Sequence, residues 1–288
     1  MLDRETLQKV RRIRIRTRTI LESGIVGSYH AVFKGRGMEF AAVREYAPGD
    51  DVRTIDWNVT ARMDAPYVKQ YVEERDLTLL LLVDLSGSQS FGSRFLLKRD
   101  YAAELAAVLA FSAVANQDRV GAVMFTDRVE AYVAPRAGRD HALRIVRDLL
   151  ALQPKGRGTN LTTALRFARR VLRRRGIVAV ISDFQDTGYE RALGILRARH
   201  DVVALQLWDP GEAEIPDAGL VALRDPETGE RRVVDTSDPA VRSRLRASTL
   251  TGAQEAFRRA RVDALPLSTA ESYELPLAAF FEARGKRR

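Results

Sequence analysis

Leu77-Thr78-Leu79-Leu80-Leu81-Leu82-Val83 runs into Asp84-Leu85-Ser86-Gly87-Ser88. An almost unbroken apolar run that stops at a polar turn reads as a strand buried on both faces, the kind found in parallel sheets. The pattern returns at residues 177–182, which stop at Asp183, and at residues 202–207. Segments with helical character lie between and around these strands: residues 93–116, alanine-rich over 101–115, then 140–152, 161–175 and 189–199. Residues 120–125 and 129–133 read as further strands. Toward the C-terminus, 220–223 and 231–234 read as a hairpin, 238–261 as one long helix, 262–267 as a strand and 275–283 as a final helix. Strands alternating with helices predict an α/β domain with a mostly parallel sheet flanked by helices. This domain spans residues 76–288.

Upstream of it the pattern differs. Residues 23–75 are punctuated by Gly24, Gly27, Gly35, Gly37 and Pro48-Gly49-Asp50. The intervening runs, 38–46 and 67–72, are β-like, so a small β-rich subdomain is predicted. Residues 1–22 form a basic segment. Its 11–19 stretch alternates like a strand, while Leu7, Val10, Ile13, Ile20 and Leu21 also fit a helical stripe. A basic helix with solvated arginines, packed on the body, is the favoured reading. Contact with a membrane surface or nucleic acid stays open.

The chain has 288 residues, with 47 Lys+Arg against 38 Asp+Glu and a net charge of +9. That balance suggests an acidic partner and says nothing about fold. Cysteine is absent, which excludes disulfides, thiolate metal sites and cysteine nucleophiles. Only three histidines occur, His30, His141 and His200, far apart in sequence, so a histidine-rich metal site is not expected. The start is polar and lacks the apolar stretch of a secretory signal. No apolar stretch reaches the roughly 20 residues needed to span a bilayer. A cytoplasmic location without a membrane span is the expectation.

The chemistry gathers at the strand ends. Ligands of open α/β sheets bind outside the carboxyl ends of the strands. There the sequence offers Asp84, Ser86 and Ser88 after one strand and Asp183 after another. Between them, the loop Gly156-Arg157-Gly158-Thr159-Asn160 offers Thr159 at a helix start. Two carboxylates and three hydroxyls form a set of hard oxygen donors, suited to magnesium, manganese or calcium. Each piece has a plainer structural reading. Ser86 and Ser88 could cap a helix start, Thr159 could be an N-cap, and Asp183 could be a turn aspartate.

Asp84-x-Ser86-x-Ser88, then Thr159, then Asp183, resembles the metal-ion-dependent adhesion site of von Willebrand factor A (vWA) domains. The wider sequence resembles one bacterial branch, domain-of-unknown-function family 58, the vWA-like proteins associated with MoxR-type AAA+ ATPases. The blocks that carry it are Gly35-Arg36-Gly37-Met38-Glu39-Phe40, the run from Arg44 through Pro48-Gly49-Asp50-Asp51 to Trp57, Thr60-Ala61-Arg62 and Glu73-Glu74-Arg75-Asp76. The resemblance implies a vWA-like (Rossmann-like) fold. It implies that Asp84, Ser86 and Ser88 ligate a divalent cation, Mg2+ first with Mn2+ or Ca2+ as alternatives, and that Thr159 and Asp183 complete the site directly or through water. It further implies that an open position accepts a partner protein's carboxylate, and that the partner machinery includes a MoxR-type ATPase. Phe184-Gln185 departs from the Gly-Glu common after the second aspartate and leaves that loop's shape in question. Gln89 stands where a methionine often follows the second serine.

Within the signature block, Arg44, Arg53, Asp56, Arg62 and Glu73 suggest a buried ion-pair network fixing the subdomain on the core; a partner surface is the other reading. Two rival functions remain. A metal-dependent phosphoryl hydrolase would use Asp84 as nucleophile, but Ser86 stands where a second carboxylate would be needed, and no histidine base or nucleophile elbow is present. Nucleic-acid or anionic-surface binding would use Arg166, Arg169, Arg170, Arg173, Arg174 and Arg175. No aromatic stacking motif accompanies those arginines, and a solvated face is the simpler meaning. The favoured expectation is a non-catalytic, metal-dependent protein-binding adaptor in a chaperone-like or maturation pathway.

Overall fold

The structure is a computed structural model that describes residues 4–22, 38–63, 65–73, 77–93, 96–213, 216–247 and 251–287. The glycine-marked stretch 23–37, with His30, and residues 74–76 of the signature block lie outside the described residues. Two compact units are present: Lys34–Leu77, and Met1–Phe33 together with Thr78–Arg288.

Helix α1 (Arg4–Glu22) belongs to the larger unit. It buries Ile13 and Thr17 and pairs its cations with acids of the body. Lys9 meets Asp100 at 3.1 Å, and Arg16 meets Glu104 at 2.8 Å and Glu274 at 3.4 Å. Helical periodicity therefore wins over the alternation of 11–19, because one face finds an apolar and acidic bed.

The smaller unit holds β1 (Met38–Glu45), the short helix α2 (Trp57–Thr60) and β2 (Tyr67–Glu73). The strands pair antiparallel from Met38↔Glu73 to Glu45↔Tyr67, with an irregularity between Phe40 and Ala42. The expected buried network of Arg44, Arg53, Asp56, Arg62 and Glu73 is corrected here. Arg44 forks onto both oxygens of Asp50, each at 2.6 Å, and braces the turn after β1. Asp56 is spent capping α2 through the amides of Asn58 and Val59, with Lys69 at 3.6 Å. Arg53 and Arg62 are exposed, and the Glu73 side chain lies outside the described residues. Among the described residues, local turn and cap bonds take Arg44 and Asp56 away from such a network.

The larger unit is built on a six-stranded sheet. Its elements are β3 (Thr78–Asp84), α3 (Lys98–Ala115), β4 (Arg119–Phe125), β5 (Val129–Arg136), α4 (Arg139–Ala151), α5 (Leu161–Val171), β6 (Ile177–Ser182), α6 (Glu190–Arg199), β7 (Asp201–Trp208), the one-turn helix α7 (Pro210–Ala213), the hairpin β8 (Leu220–Arg224) and β9 (Arg231–Asp235), α8 (Pro239–Ala247), α9 (Thr251–Ala260), β10 (Asp263–Ser268) and α10 (Glu274–Lys286). The strand order is β10-β7-β6-β3-β4-β5. Every pairing is parallel except β4 with β5. This is the mostly parallel, helix-flanked α/β architecture that the alternation of strands and helices predicts. The helix expected over 238–261 is described as α8 and α9, and residues 248–250 between them lie outside the described residues. The helix expected over 161–175 ends at Val171, because Leu172 turns extended and Arg173–Arg175 form the connection into β6.

Leu79–Val83 are buried on both faces, as a central parallel strand requires. Burying each such side chain contributes about 1.5–3 kcal/mol. On one face α5, α6 and α9 pack Leu161, Leu165, Leu193, Leu196 and Phe257 against Leu80, Leu82, Val178 and Val180. On the other lies α3, whose alanines allow close approach to the sheet and to α4. From β3 the chain moves one way to β4 and returns on the far side with β6. The reversal leaves a crevice between β3 and β6 at their carboxyl ends.

The opposite end of the sheet is closed by charge. Arg284 of α10 reaches Asp201 and Asp263, at the starts of β7 and β10, at 2.7 Å each. His200, before β7, is buried, and neither ring nitrogen has a hydrogen-bond partner among the described residues. Burial, with Arg199 and Arg175 adding repulsion, holds its pKa below the ordinary 6.5. The unfolded chain therefore binds a proton at a pH where the folded chain resists it, and stability is lost as pH falls below about 6.5. Replacing His200 with Met should flatten the loss of thermal stability between pH 6.5 and 5; an unchanged slope would assign that loss to other groups.

Candidate metal centre

The register Val83↔Ile181 sets the ends of β3 and β6 side by side. Asp84 closes β3 and Asp183 follows β6, both inside the protein. Neighbouring parallel strands lie about 4.8 Å apart, so two carboxylates are forced into one crevice. Asp84 Oδ1 accepts from the Ser86 amide at 2.9 Å, which folds the turn back over the carboxylate. Asp84 Oδ2 accepts from the Ser182 hydroxyl at 2.6 Å. Ser86 and Ser88 hydroxyls lie 3.1 Å apart, both buried. Ser86 makes no side-chain cap to the 3-10 turn Gly87–Ser90 that it precedes. The capping explanation for Ser86 therefore fails.

Thr159 has no capping duty. Asn160 is the N-cap of α5, accepting from the Thr163 amide at 2.8 Å. The loop before it is drawn in by Glu130, which accepts from the amides of Lys155 at 3.1 Å and Gly156 at 2.7 Å. Asn160 N donates to Thr126 O at 3.0 Å, and Gly87 N to Arg157 O at 2.7 Å. The loop is thus stitched to the ends of β4 and β3. Thr159 instead gives its hydroxyl to Glu227 Oε1 at 2.6 Å and its amide to Glu227 Oε2 at 3.2 Å. Glu227 comes from the tip of the β8–β9 hairpin.

Asp183 does part of a turn aspartate's work, accepting from the Gln185 amide at 3.3 Å. Its other oxygen receives Lys98 Nζ at 2.8 Å. Lys98 also reaches Glu212 Oε1 of α7 at 2.5 Å, and its side chain has no solvent exposure. Phe184 adopts φ +57°, a conformation that favours glycine. Its buried ring meets Phe257 edge-on at 4.8 Å between centroids, and its amide donates to Ser182 Oγ at 3.0 Å, which hold it there. An aromatic residue can therefore occupy this position without displacing Asp183.

The electrostatics are lopsided. Lys98 pairs with Asp183 and Glu212, while Asp84 and Glu227 feel the like charge of Asp183. Burial pushes the Asp84 carboxyl up to about 7, and the charge of Asp183 acts in the same direction, against the hydrogen bonds from Ser182 and Ser86. Burial likewise raises Glu212 in spite of Lys98, and Glu227 in spite of Thr159. Lys98 itself loses to burial but gains more from Asp183 and Glu212, and its pKa lies above the ordinary value. Among the described residues no three His, Asp or Glu side chains gather as a metal-holding group. The donor set is instead two carboxylates with serine and threonine hydroxyls. A buried carboxylate with no cationic partner among the described residues, beside serine hydroxyls, fits a hard divalent cation.

Sequence reasoning missed four members of this cluster. Lys98 looked like a polar lead-in to a helix, and Ser182 like the end of a strand. Glu212 and Glu227 lie far from the motif and arrive only through folding. Asp209, after β7, is a third strand-end aspartate, but it is saturated: it accepts from the Ser93 amide at 3.0 Å and the Gly211 amide at 2.8 Å, and from the Ser93 and Thr269 hydroxyls. Its role is to fasten the loops that hold α7.

A family model described as "Protein of unknown function DUF58" matches residues 42–255. An uncharacterized protein of Mycobacterium tuberculosis (strain H37Rv) is 36% identical over 236 residues, covering 81% of this chain and 74% of the relative. A Mycobacterium bovis protein, also uncharacterized, matches with the same values. Among solved structures, an aerotolerance-related membrane protein from Bacteroides fragilis is similar with a TM-score of 0.51 at 16% identity, covering 72% of this chain and 99% of that one. A von Willebrand factor type A protein from Catenulispora acidiphila is similar with a TM-score of 0.36 at 12% identity, covering 76% of this chain and 44% of that one.

Removing one partner from a buried charge cluster leaves the others uncompensated, at a cost of about 3–5 kcal/mol. Lys98→Met should lower the unfolding free energy of metal-free protein by about 3 kcal/mol in denaturant titration. A loss below about 1 kcal/mol would mean that the ion pairs of Lys98 with Asp183 and Glu212 add little to the stability of the fold.

Proposed function

We propose that this chain, which belongs to the DUF58 family, is a binding protein that uses a divalent cation at Asp84, Ser86 and Ser88 to capture an acidic side chain of a partner protein. Thr159 and Asp183 complete the cation's surroundings. The observation that carries the reading is the seat on Thr159: its hydroxyl and amide together grip a carboxylate at the mouth of the crevice. A bound cation would supply a Lewis-acidic centre for such a carboxylate. The chain's own residues do the rest. Asp84 and its serine turn give a negatively charged bed, Ser182 fixes the Asp84 carboxylate, and Lys98 fixes Asp183.

Binding fits the cluster better than hydrolysis. His141 lies on α4, and His200 lies at the far end of β7, so neither can serve as a base at the crevice. The arginines of α5 form an exposed face in which Arg170 lies over Phe167 at 5.1 Å, with nothing that reads a base. The net charge of +9 suits an acidic partner surface. By family resemblance the partner machinery includes a MoxR-type AAA+ ATPase, and a cytoplasmic setting is part of the same proposal. Among the described residues no helix is long and apolar enough to cross a membrane.

Calorimetric titration of magnesium, then manganese and calcium, tests the cation. Saturable one-site binding is expected, weakened about 100-fold or more in Asp84→Ala. Heats that are absent, or equal in the variant, would refute the site. Capture of the MoxR-type ATPase in magnesium and its loss in chelator is the corresponding expectation for the partner; capture indifferent to both would remove the metal from that contact.

A further inference from the structure

Among the described residues, the β8–β9 hairpin pairs with no other strand. Its register runs from Leu220↔Asp235 to Arg224↔Arg231. Both strands stand in solvent, with Leu220 75% and Val233 68% exposed. An isolated two-stranded hairpin is marginal in water, so this one depends on its ends. At the base, buried Thr236 ties the strands through Ala218 N at 3.0 Å and Gly219 O at 2.8 Å.

At the tip, the turn is built to present one side chain. Asp225 Oδ1 accepts from the amides of Glu227 at 2.8 Å and Thr228 at 3.2 Å, and Gly229 closes the turn at φ +77°. The turn lies on the candidate metal loop. A Cβ on Gly87 would stand 2.3 Å from the Pro226 carbonyl oxygen, so only glycine permits the approach. From there Glu227 extends to the hydroxyl and amide of Thr159. The seat that suits a partner's carboxylate is filled by a carboxylate of the same chain.

We infer that Glu227 is a resident acidic ligand of the site. The hairpin holds its carboxylate on Thr159, and a partner's carboxylate gains that seat only when the tip lifts. The identity of what displaces Glu227 rests on the proposed function; the latch itself does not. Because the resident is tethered, its effective concentration is high, and only a carboxylate with further contacts of its own displaces it. The latch thus selects against free acids and for a shaped acidic partner.

Hydrogen exchange on the metal-free full chain tests the latch. In Glu227→Ala and in Thr159→Val, the hairpin amides, and the Thr159 amide itself in the first, should exchange about tenfold faster than in the unaltered protein, while Leu79–Val83 stay protected. The double variant should exchange no faster than the more affected single variant. Hairpin rates within twofold of the unaltered protein in Glu227→Ala, or release in that variant but not in Thr159→Val, would overturn the latch. Displacement is tested on manganese-loaded protein titrated with acetate. Glu227→Ala should bind acetate about tenfold or more tightly than the unaltered protein, and equal affinity would overturn that half. Failure of manganese or magnesium to bind in calorimetry would defeat the proposed function and leave the metal-free exchange result to stand by itself.

Discussion

Two aspartates forced into one crevice set the terms for everything around them. The apolar runs of β3 and β6 must bury both faces, and their parallel register brings Asp84 and Asp183 together whether or not the charges favour it. Buried like charges are costly, and the fold answers in several ways. Lys98 is carried entirely out of solvent to reach Asp183. Ser182 and the Ser86 amide hold Asp84. The compensation is incomplete, because Glu212 and Glu227 add charge of the same sign. The residual negative field at a hydroxyl-lined strand end is what the proposed cation would neutralise.

The loops around the crevice are arranged so that donors stay available. Asn160 does the capping of α5, which releases Thr159 to hold Glu227. Asp209 takes the turn and cap bonds of its neighbourhood and leaves the crevice to Asp84 and Asp183. Phe184 accepts a left-handed backbone in exchange for a buried ring against Phe257, and so keeps the loop after β6 tight. A site that binds ligands through a few groups needs such supporting bonds to keep those groups aimed.

Much of this could be read in the sequence, for reasons that are themselves physical. Leu79–Val83 and Ile177–Ser182 announce buried parallel strands because nothing else tolerates unbroken apolar runs that short. Asp84, Ser86 and Ser88 are local, and a turn brings them together without help from the rest of the chain. Thr159 and Asp183 needed strand order, which the alternation of elements supplied. Glu227 was not legible, since a glutamate in a hairpin turn looks like any solvated turn residue. Nor was Lys98, because a lysine before a helix is ordinarily exposed. The signature block misled at Arg44 and Asp56: Arg44 is taken by Asp50 in the turn the sequence marks, and Asp56 caps a helix within a few residues of itself.

The most direct test of the central claim is anomalous X-ray scattering from crystals of the protein soaked in manganese. The account requires one strong peak in the crevice, within about 2.0–2.3 Å of oxygens from Asp84, Ser86 and Ser88. A manganese peak elsewhere, with the Asp84 crevice empty at saturating metal, would contradict it.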